Sequence, residues 1–194
     1  MEQHRTIVLA STSPRRKELL EKIGLKFQVD SSGFPENLGQ DLPPERLVKF
    51  NSIGKASSLA AKYPDAIIIA ADTIGVIHDC VIGKPHTPEE AVTMLQRLSG
   101  KTHRVITGLT VLDTGSKKML TRTVETRVRI RGIDLPEIQR YVQTGEPLDK
   151  AGAYAIQGLG ALIVEKIIGD YYNVVGLPLN TLSKCLKELG INLL

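Results

Sequence analysis

The chain has 194 residues, enough for one domain with a full core. Its composition, 42% hydrophobic and 24% charged, is that of an ordinary globular protein and excludes disordered, fibrous and membrane-embedded classes. The formal charge of +4, from 25 basic and 21 acidic residues, suits an anionic small-molecule ligand and does not by itself indicate nucleic acid. No apolar run reaches membrane-spanning length. Met1-Glu2-Gln3-His4-Arg5 leads into a strand and lacks the apolar core of a signal peptide. Cys80 and Cys185 form no C-x-x-C pair, which suggests a reducing, cytoplasmic setting.

In chain order, Thr6-Ile7-Val8-Leu9 is β-branched and apolar and reads as a buried strand. Ser11-Thr12-Ser13-Pro14-Arg15-Arg16 then opens a helix. Ser13 suits the N-cap, Pro14 the first helical position and Gly24 the stop, with Leu19, Leu20 and Ile23 on one face. Arg15 and Arg16 therefore fall in the first turn, where the helix dipole favours anions over cations. An external anion resolves the conflict, held by free backbone N–H groups, the hydroxyls of Ser11 and Ser13 and two guanidinium forks. The alternative is that both arginines point into water.

Phe27-Gln28-Val29 reads as a short strand, and residues 30–43 as a polar loop carrying Glu36, of a length that is often functional. A helix is predicted from Pro44 to Tyr63, with Leu47, Phe50, Ile53 and Gly54 facing inward. Lys55 lies at the edge of that stripe, where a lysine usually snorkels to water. Residues 66–71 (AIIIAA) show no alternation and predict a strand covered on both faces, ending at Asp72-Thr73. Ligands of open α/β sheets bind beyond the carboxyl ends of such strands, which makes Asp72 a site candidate, with turn capping as the alternative. Residues 74–82 predict a hairpin with His78-Asp79 at its tip.

Gly83-Lys84-Pro85 leads to a helix opened by the capping box Thr87-Pro88-Glu89-Glu90, with Ala91, Met94, Leu95 and Leu98 buried. Residues 101–113 and 118–131 predict two long strands around a turn. On the second, Arg127, Arg129 and Arg131 mark a solvated face, either a solubilising surface or a nucleic-acid contact. Asp134-Leu135-Pro136-Glu137 opens a helix ending near Gly145. A dense loop over 146–158, a strand over 161–168 and a final helix follow, the last burying Leu179, Leu182, Cys185, Leu186 and Leu189.

Several familiar sites are absent: no G-x-x-x-x-G-K-[ST], no G-x-S-x-G and no H-E-x-x-H occurs. The four histidines have no metal-ligand spacing, and His103 fits a supporting role in a strand or turn. What remains is a set of cations and carboxylates at loop and strand ends. Arg15, Arg16, Lys55 and Lys84 can neutralise a polyphosphate. Glu36, Asp72 and Asp149 can hold a hard divalent ion such as Mg²⁺. The combination points to phosphoryl chemistry on a nucleotide.

Ser11-Thr12-Ser13-Pro14-Arg15-Arg16-Lys17-Glu18-Leu19-Leu20 resembles the opening signature of the Maf family of nucleoside triphosphate pyrophosphatases. Ala71-Asp72-Thr73, Gly83-Lys84-Pro85, residues 99–108 (SGKTHRVITG), 145–152 (GEPLDKAG) and 169–178 (GDYYNVVGLP) match the family's later blocks in order, so the resemblance covers nearly the whole chain. It implies a single 1–194 domain of α/β class, similar to inosine triphosphatases, with a long mixed sheet, helices and a cleft between two lobes. It also implies hydrolysis of a nucleoside triphosphate to the monophosphate and pyrophosphate with a divalent metal, Mg²⁺ or Mn²⁺, and a homodimer. By position Asp72 resembles the family's catalytic carboxylate. Ser11, Arg15, Arg16, Glu36, Lys55 and Lys84 resemble its phosphate and metal site, although the family usually has Asp-Glu where this chain has Pro35-Glu36.

The implied mechanism has Asp72 as general base toward water attacking the α-phosphorus, with Lys84 and the arginines stabilising the departing pyrophosphate. At Arg15, Thr73 and Gln157 the chain is similar to the family's dTTP/UTP branch, whereas the 7-methyl-GTP branch has a tryptophan in place of Arg15 and a Glu in place of Gln157. A Gln amide offers a donor and an acceptor, as the imide edge of uracil or thymine requires. CTP and modified pyrimidine nucleotides fall in the same class. Two other readings stand beside this one: a 7-methyl-GTP pyrophosphatase, and a non-catalytic nucleotide- or nucleic-acid-binding regulator of septum formation using the Arg127, Arg129 and Arg131 face. House-cleaning of non-standard nucleotides and a division role are both compatible with the resemblance.

Overall fold

The computed structural model of the chain describes residues 5–35 and 42–194. The elements in order are β1 (Thr6–Ala10), α1 (Pro14–Lys22), β2 (Gln28–Asp30), α2 (Pro44–Ser58), β3 (Ala66–Ile77), β4 (Cys80–Ile82) and α3 (Pro88–Leu98). Then come β5 (Thr102–Asp113), β6 (Lys118–Ile130), α4 (Leu135–Gln143), β7 (Val164–Ile168), α5 (Tyr171–Val175) and α6 (Leu179–Glu188). Three short 3-10 turns, Glu146–Asp149, Ala151–Ala153 and Leu159–Leu162, occupy the stretch between α4 and β7.

The strands form one mixed sheet in the order β2-β1-β3-β5-β6-β7, with β4 paired to β3 off this path. Strand β1 runs parallel to both neighbours, Leu9 facing Val29 on one side and Ile69 on the other. Strands β4 and β7 pair antiparallel with β3 and β6. The α/β class with a long mixed sheet is as expected. No described helix is long and apolar enough to cross a membrane.

Contacts divide the chain into two compact units: Met1–Asp72 with Thr107–Val124 and Gly176–Leu194, and Thr73–Ile106 with Glu125–Val175. In the first, Val8, Ala10, Ile68, Ala70 and Leu112 pack with Ala56 and Leu59 from α2 and its end. Helix α2 lies on β5 at Gly108, where an added Cβ would stand 2.2 Å from the Val48 carbonyl oxygen, so only glycine permits the approach. Arg5, ahead of β1, donates to Asp113 at 2.7 Å and to Asp65 at 3.2 Å, fastening three chain segments. That guanidinium holds the Asp113 carboxyl well below the usual carboxylate range.

In the second unit Leu95 and Leu98 of α3, Ile138 and Tyr141 of α4 and Val128 and Ile130 of β6 share one core. Both helices are capped as predicted: Thr87 Oγ1 accepts from the Glu90 N–H at 3.2 Å and Asp134 Oδ1 from the Glu137 N–H at 2.8 Å. His78 and Asp79 form the β3–β4 hairpin tip with φ of 47° and 61°, the two left-handed positions of a tight hairpin turn.

Several expectations need correction. Helix α2 ends at Ser58 and residues 59–62 are turns, short of Tyr63. Its buried face is Leu47, Val48, Asn51, Ser52, Lys55 and Ala56, while Phe50 and Ile53 of the expected stripe are exposed. Inward polar groups find partners there, Ser52 Oγ with Thr110 Oγ1 at 2.9 Å and Asn51 Nδ2 with Asp72 Oδ2 at 2.9 Å, and counting apolar residues misses such a face. Strand β3 does not stop at Asp72. The β-branched run Thr73-Ile74 carries it on to Val76-Ile77, where β4 pairs with it. Strand β7 begins at Val164, because residues 159–162 are a 3-10 turn.

Candidate functional site

The first turn of α1 contains no acidic residue, and Ser13 at the N-cap makes no side-chain capping bond. Instead the Ser13 N–H donates to Ser11 Oγ at 3.2 Å. Arg16 folds back over the same hydroxyl, with Nη1 3.2 Å from Ser11 Oγ and Nε donating to the Gly176 carbonyl at 2.9 Å. These groups border a cavity of about 340 Å³ whose lining includes Ser11, Thr12, Arg16, Ser31, Ser32 and Lys55. Among the described residues the lining offers two cations, four hydroxyls and no carboxylate. Its charge and donors match an anion with several oxygens, such as a phosphate chain.

Lys55 departs most sharply from its sequence expectation. Its position predicts snorkelling, yet the residue is 4% exposed and its Nζ donates to Asp72 Oδ1 at 2.7 Å. Asn51, four residues earlier on the same face of α2, donates from Nδ2 to Asp72 Oδ2 at 2.9 Å. Asp72 is itself 4% exposed and sits inside β3, so it caps no turn. A carboxylate and an ammonium leave water only when each is paired and hydrogen-bonded, and this arrangement supplies both conditions. A carboxylate offers about four lone-pair positions, so two donors fix its orientation without exhausting it. Asn51 carries no signal in the sequence: neither a motif nor the apolar pattern singles it out.

Four of the expected site residues thus come together in the first unit: Ser11, Arg16 and Lys55 border the cavity, and Asp72 is bonded to Lys55. Arg15 is half-buried and is not in the cavity lining. Glu36 lies outside the described residues. No group of three His, Cys, Asp or Glu side chains among the described residues could hold a metal ion.

The remaining candidates belong to the second unit. Thr73 follows Asp72 on β3 and is half-buried. Lys84 is exposed in the loop after β4, which the Gly152 N–H anchors by donating to the Gly83 carbonyl at 3.0 Å. Gln157 is exposed on a turn closed by the Gly158 N–H to the Ala155 carbonyl at 3.1 Å. Asp149 is exposed and paired with its neighbour Lys150. His103 is 2% exposed, with Nε2 3.0 Å from Tyr154 Oη, and burial pushes its pKa down to about 4. It is a neutral strut inside the second unit, as expected. The arginine face of β6 is neutralised locally. Arg127 pairs with Glu125, Arg129 with Glu165 and Arg131 with Glu137, so it presents no uncompensated basic stripe.

Comparison with known proteins now adds to this geometry. The chain is 49% identical to a dTTP/UTP pyrophosphatase of Methanococcoides burtonii, covering 97% of each chain. It is 48% identical to one from Dictyoglomus thermophilum, over 97% of this chain and 98% of that one. It is 51% identical to one from Thermoanaerobacter pseudethanolicus, over 97% and 99%. Among solved structures, a HAM1 protein from Coxiella burnetii matches with a TM-score of 0.54 at 17% identity, covering 95% of this chain and 99% of that chain. The Staphylococcus aureus Ham1 protein does so with the same TM-score at 14% identity, over 95% and 100%. At such identities these two matches speak for the fold alone. The description "Maf-like protein" belongs to the family whose sequence pattern fits residues 6–189, and with that span and these relatives the chain is a member of the Maf-like family.

Proposed function

We propose that this protein is a nucleoside triphosphate pyrophosphatase acting on dTTP and UTP, releasing the monophosphate and pyrophosphate. The observation that carries this reading is the buried Lys55–Asp72–Asn51 cluster, with Lys55 also bordering the cavity lined by Ser11 and Arg16. The names of relatives about half identical over nearly the full chain support the substrate.

In this reading the phosphate chain lies against Ser11, Thr12 and Arg16. Asp72, oriented by Lys55 and Asn51, takes a proton from the water that attacks the α-phosphorus. The bond from the α-phosphorus to the bridging oxygen breaks, and the electron pair leaves with pyrophosphate. Arg16 and Lys84 stabilise the charge that accumulates on this leaving group. Asp72 and Glu36 would hold the divalent ion, which when bound offsets charge on the phosphates. Thr73, Gln157 and the half-buried Arg15 are assigned to the nucleoside end, Gln157 pairing with the imide edge of uracil or thymine. The unpaired cysteines, Cys80 and Cys185, support a cytoplasmic setting for the reaction.

Asp72→Asn tests the assignment. The substitution keeps the size of the side chain and removes the base. Pyrophosphate release from dTTP should fall about 10²- to 10⁴-fold in a protein whose circular dichroism is unchanged. Near-normal release would remove Asp72 from the chemistry.

A further inference from the structure

Gln157 is exposed, and a flexible amide on an exposed turn discriminates poorly, because it can turn to meet either a donor or an acceptor. The turn that carries it is nevertheless braced from both ends. Before it, the Ala155 N–H donates to Tyr141 Oη at 3.2 Å. After it, the Leu159 N–H donates to Glu146 Oε2 and the Gly160 N–H to Glu146 Oε1, each at 2.9 Å. The two braces are joined, since Tyr141 Oη donates to Glu146 Oε1 at 2.7 Å. Burial opposes ionisation of Glu146, but the hydrogen bonds from Tyr141, Gly160 and Leu159 outweigh it and hold its carboxyl below the usual range. Burial, then the bond to Glu146, raises the Tyr141 phenol well above its ordinary value, so it stays a donor.

The fit is tight enough to exclude side chains. A Cβ at Gly158 would lie 2.1 Å from Glu146 Oε2, and one at Gly160 would lie 2.7 Å from Tyr141 Oη and 2.6 Å from the Ala155 carbonyl oxygen. The ring of Tyr141 belongs to the core, whereas its hydroxyl is turned to Glu146 and the Ala155 N–H.

We propose that Tyr141 and Glu146 are positioning residues for base selection: a clamp that fixes the 155–160 turn and so presents the Gln157 amide in one orientation. This rests on the reading above that Gln157 meets the pyrimidine edge. Tyr141→Phe keeps the ring and removes the hydroxyl. Glu146→Gln keeps the shape but sets an NH₂ group against one of two backbone N–H donors.

The experiment compares kcat/KM for dTTP and for GTP in the wild type, Tyr141→Phe, Glu146→Gln, Gln157→Ala and the two clamp variants combined with Gln157→Ala. Each single substitution should lower the dTTP-to-GTP ratio roughly 10- to 100-fold, mainly by raising KM for dTTP. Adding a clamp substitution to Gln157→Ala should lower it no further. If Gln157→Ala lowers the ratio but both clamp variants only change the melting temperature or slow all nucleotides alike, the clamp is structural and the proposal is overturned. If Gln157→Ala itself leaves the ratio of an active enzyme unchanged, the base-reading role falls and the clamp's role falls with it.

Discussion

At Lys55 the chain removes a charge from water and does so for one partner. Its side chain and that of Asp72 are 5% and 6% exposed, and the pair is closed at 2.7 Å. Such a pair adds little net stability over two apolar residues, but breaking it strands a buried charge. Lys55→Met should therefore cost about 3–5 kcal/mol in urea unfolding, and adding Asp72→Asn should recover most of that loss. If Lys55→Met leaves stability unchanged, the pair is not buried as described. At this scale the sequence was informative where electrostatics leave a visible contradiction. Arg15 and Arg16 at a helix start, where cations are disfavoured, pointed to an anion there, and the structure sets Arg16, but not Arg15, beside Ser11 on a cavity. Asn51 was not legible, because a buried amide resembles any exposed one until its partner is known. Lys55 was misjudged by its spacing for the same reason, although its charge and the family resemblance both placed it among the site candidates.

At the scale of elements, the strands, caps and turns follow from short-range chemistry: the alternation on β6, the Thr87 and Asp134 caps, and the His78-Asp79 tip. The face of α2 does not, since its inward side is half polar and two large apolar residues, Phe50 and Ile53, point outward. Phe34, from the loop after β2, covers part of that outer side, its ring 2.3 Å from where a Gly54 Cβ would stand and edge-on to Phe50. The depth at which α2 sits is set at Gly108. Gly108→Ala would drive a methyl group into the Val48 carbonyl and push the helix off β5. It should cost about 1–3 kcal/mol of stability and lower turnover as well, because the displaced helix carries Asn51 and Lys55. Denaturation and kcat measured on the same variant check this, and a loss of stability with full turnover would separate the helix from the chemistry.

At the scale of the whole molecule, the mixed α/β sheet and the family were legible because six ordered blocks span nearly all of the chain. The division into two units was less so. It cuts through β3 between Asp72 and Thr73, which the sequence marks only as the end of an apolar run. Ser11, Arg16, Lys55 and Asp72 belong to one unit and Thr73, Lys84 and Gln157 to the other. The sequence assigns these roles in part through the family and in part through chemistry, and the structure adds the pairing that turns Asp72 into an oriented carboxylate.

Pyrophosphate release from a panel of dTTP, UTP, CTP, GTP and 7-methyl-GTP, each with and without Mg²⁺ or Mn²⁺, tests the proposed activity directly. The expected result is metal-dependent release from dTTP and UTP, with kcat/KM at least about tenfold above that for GTP. A preference for 7-methyl-GTP, or no release from any nucleotide by a folded protein, would contradict it.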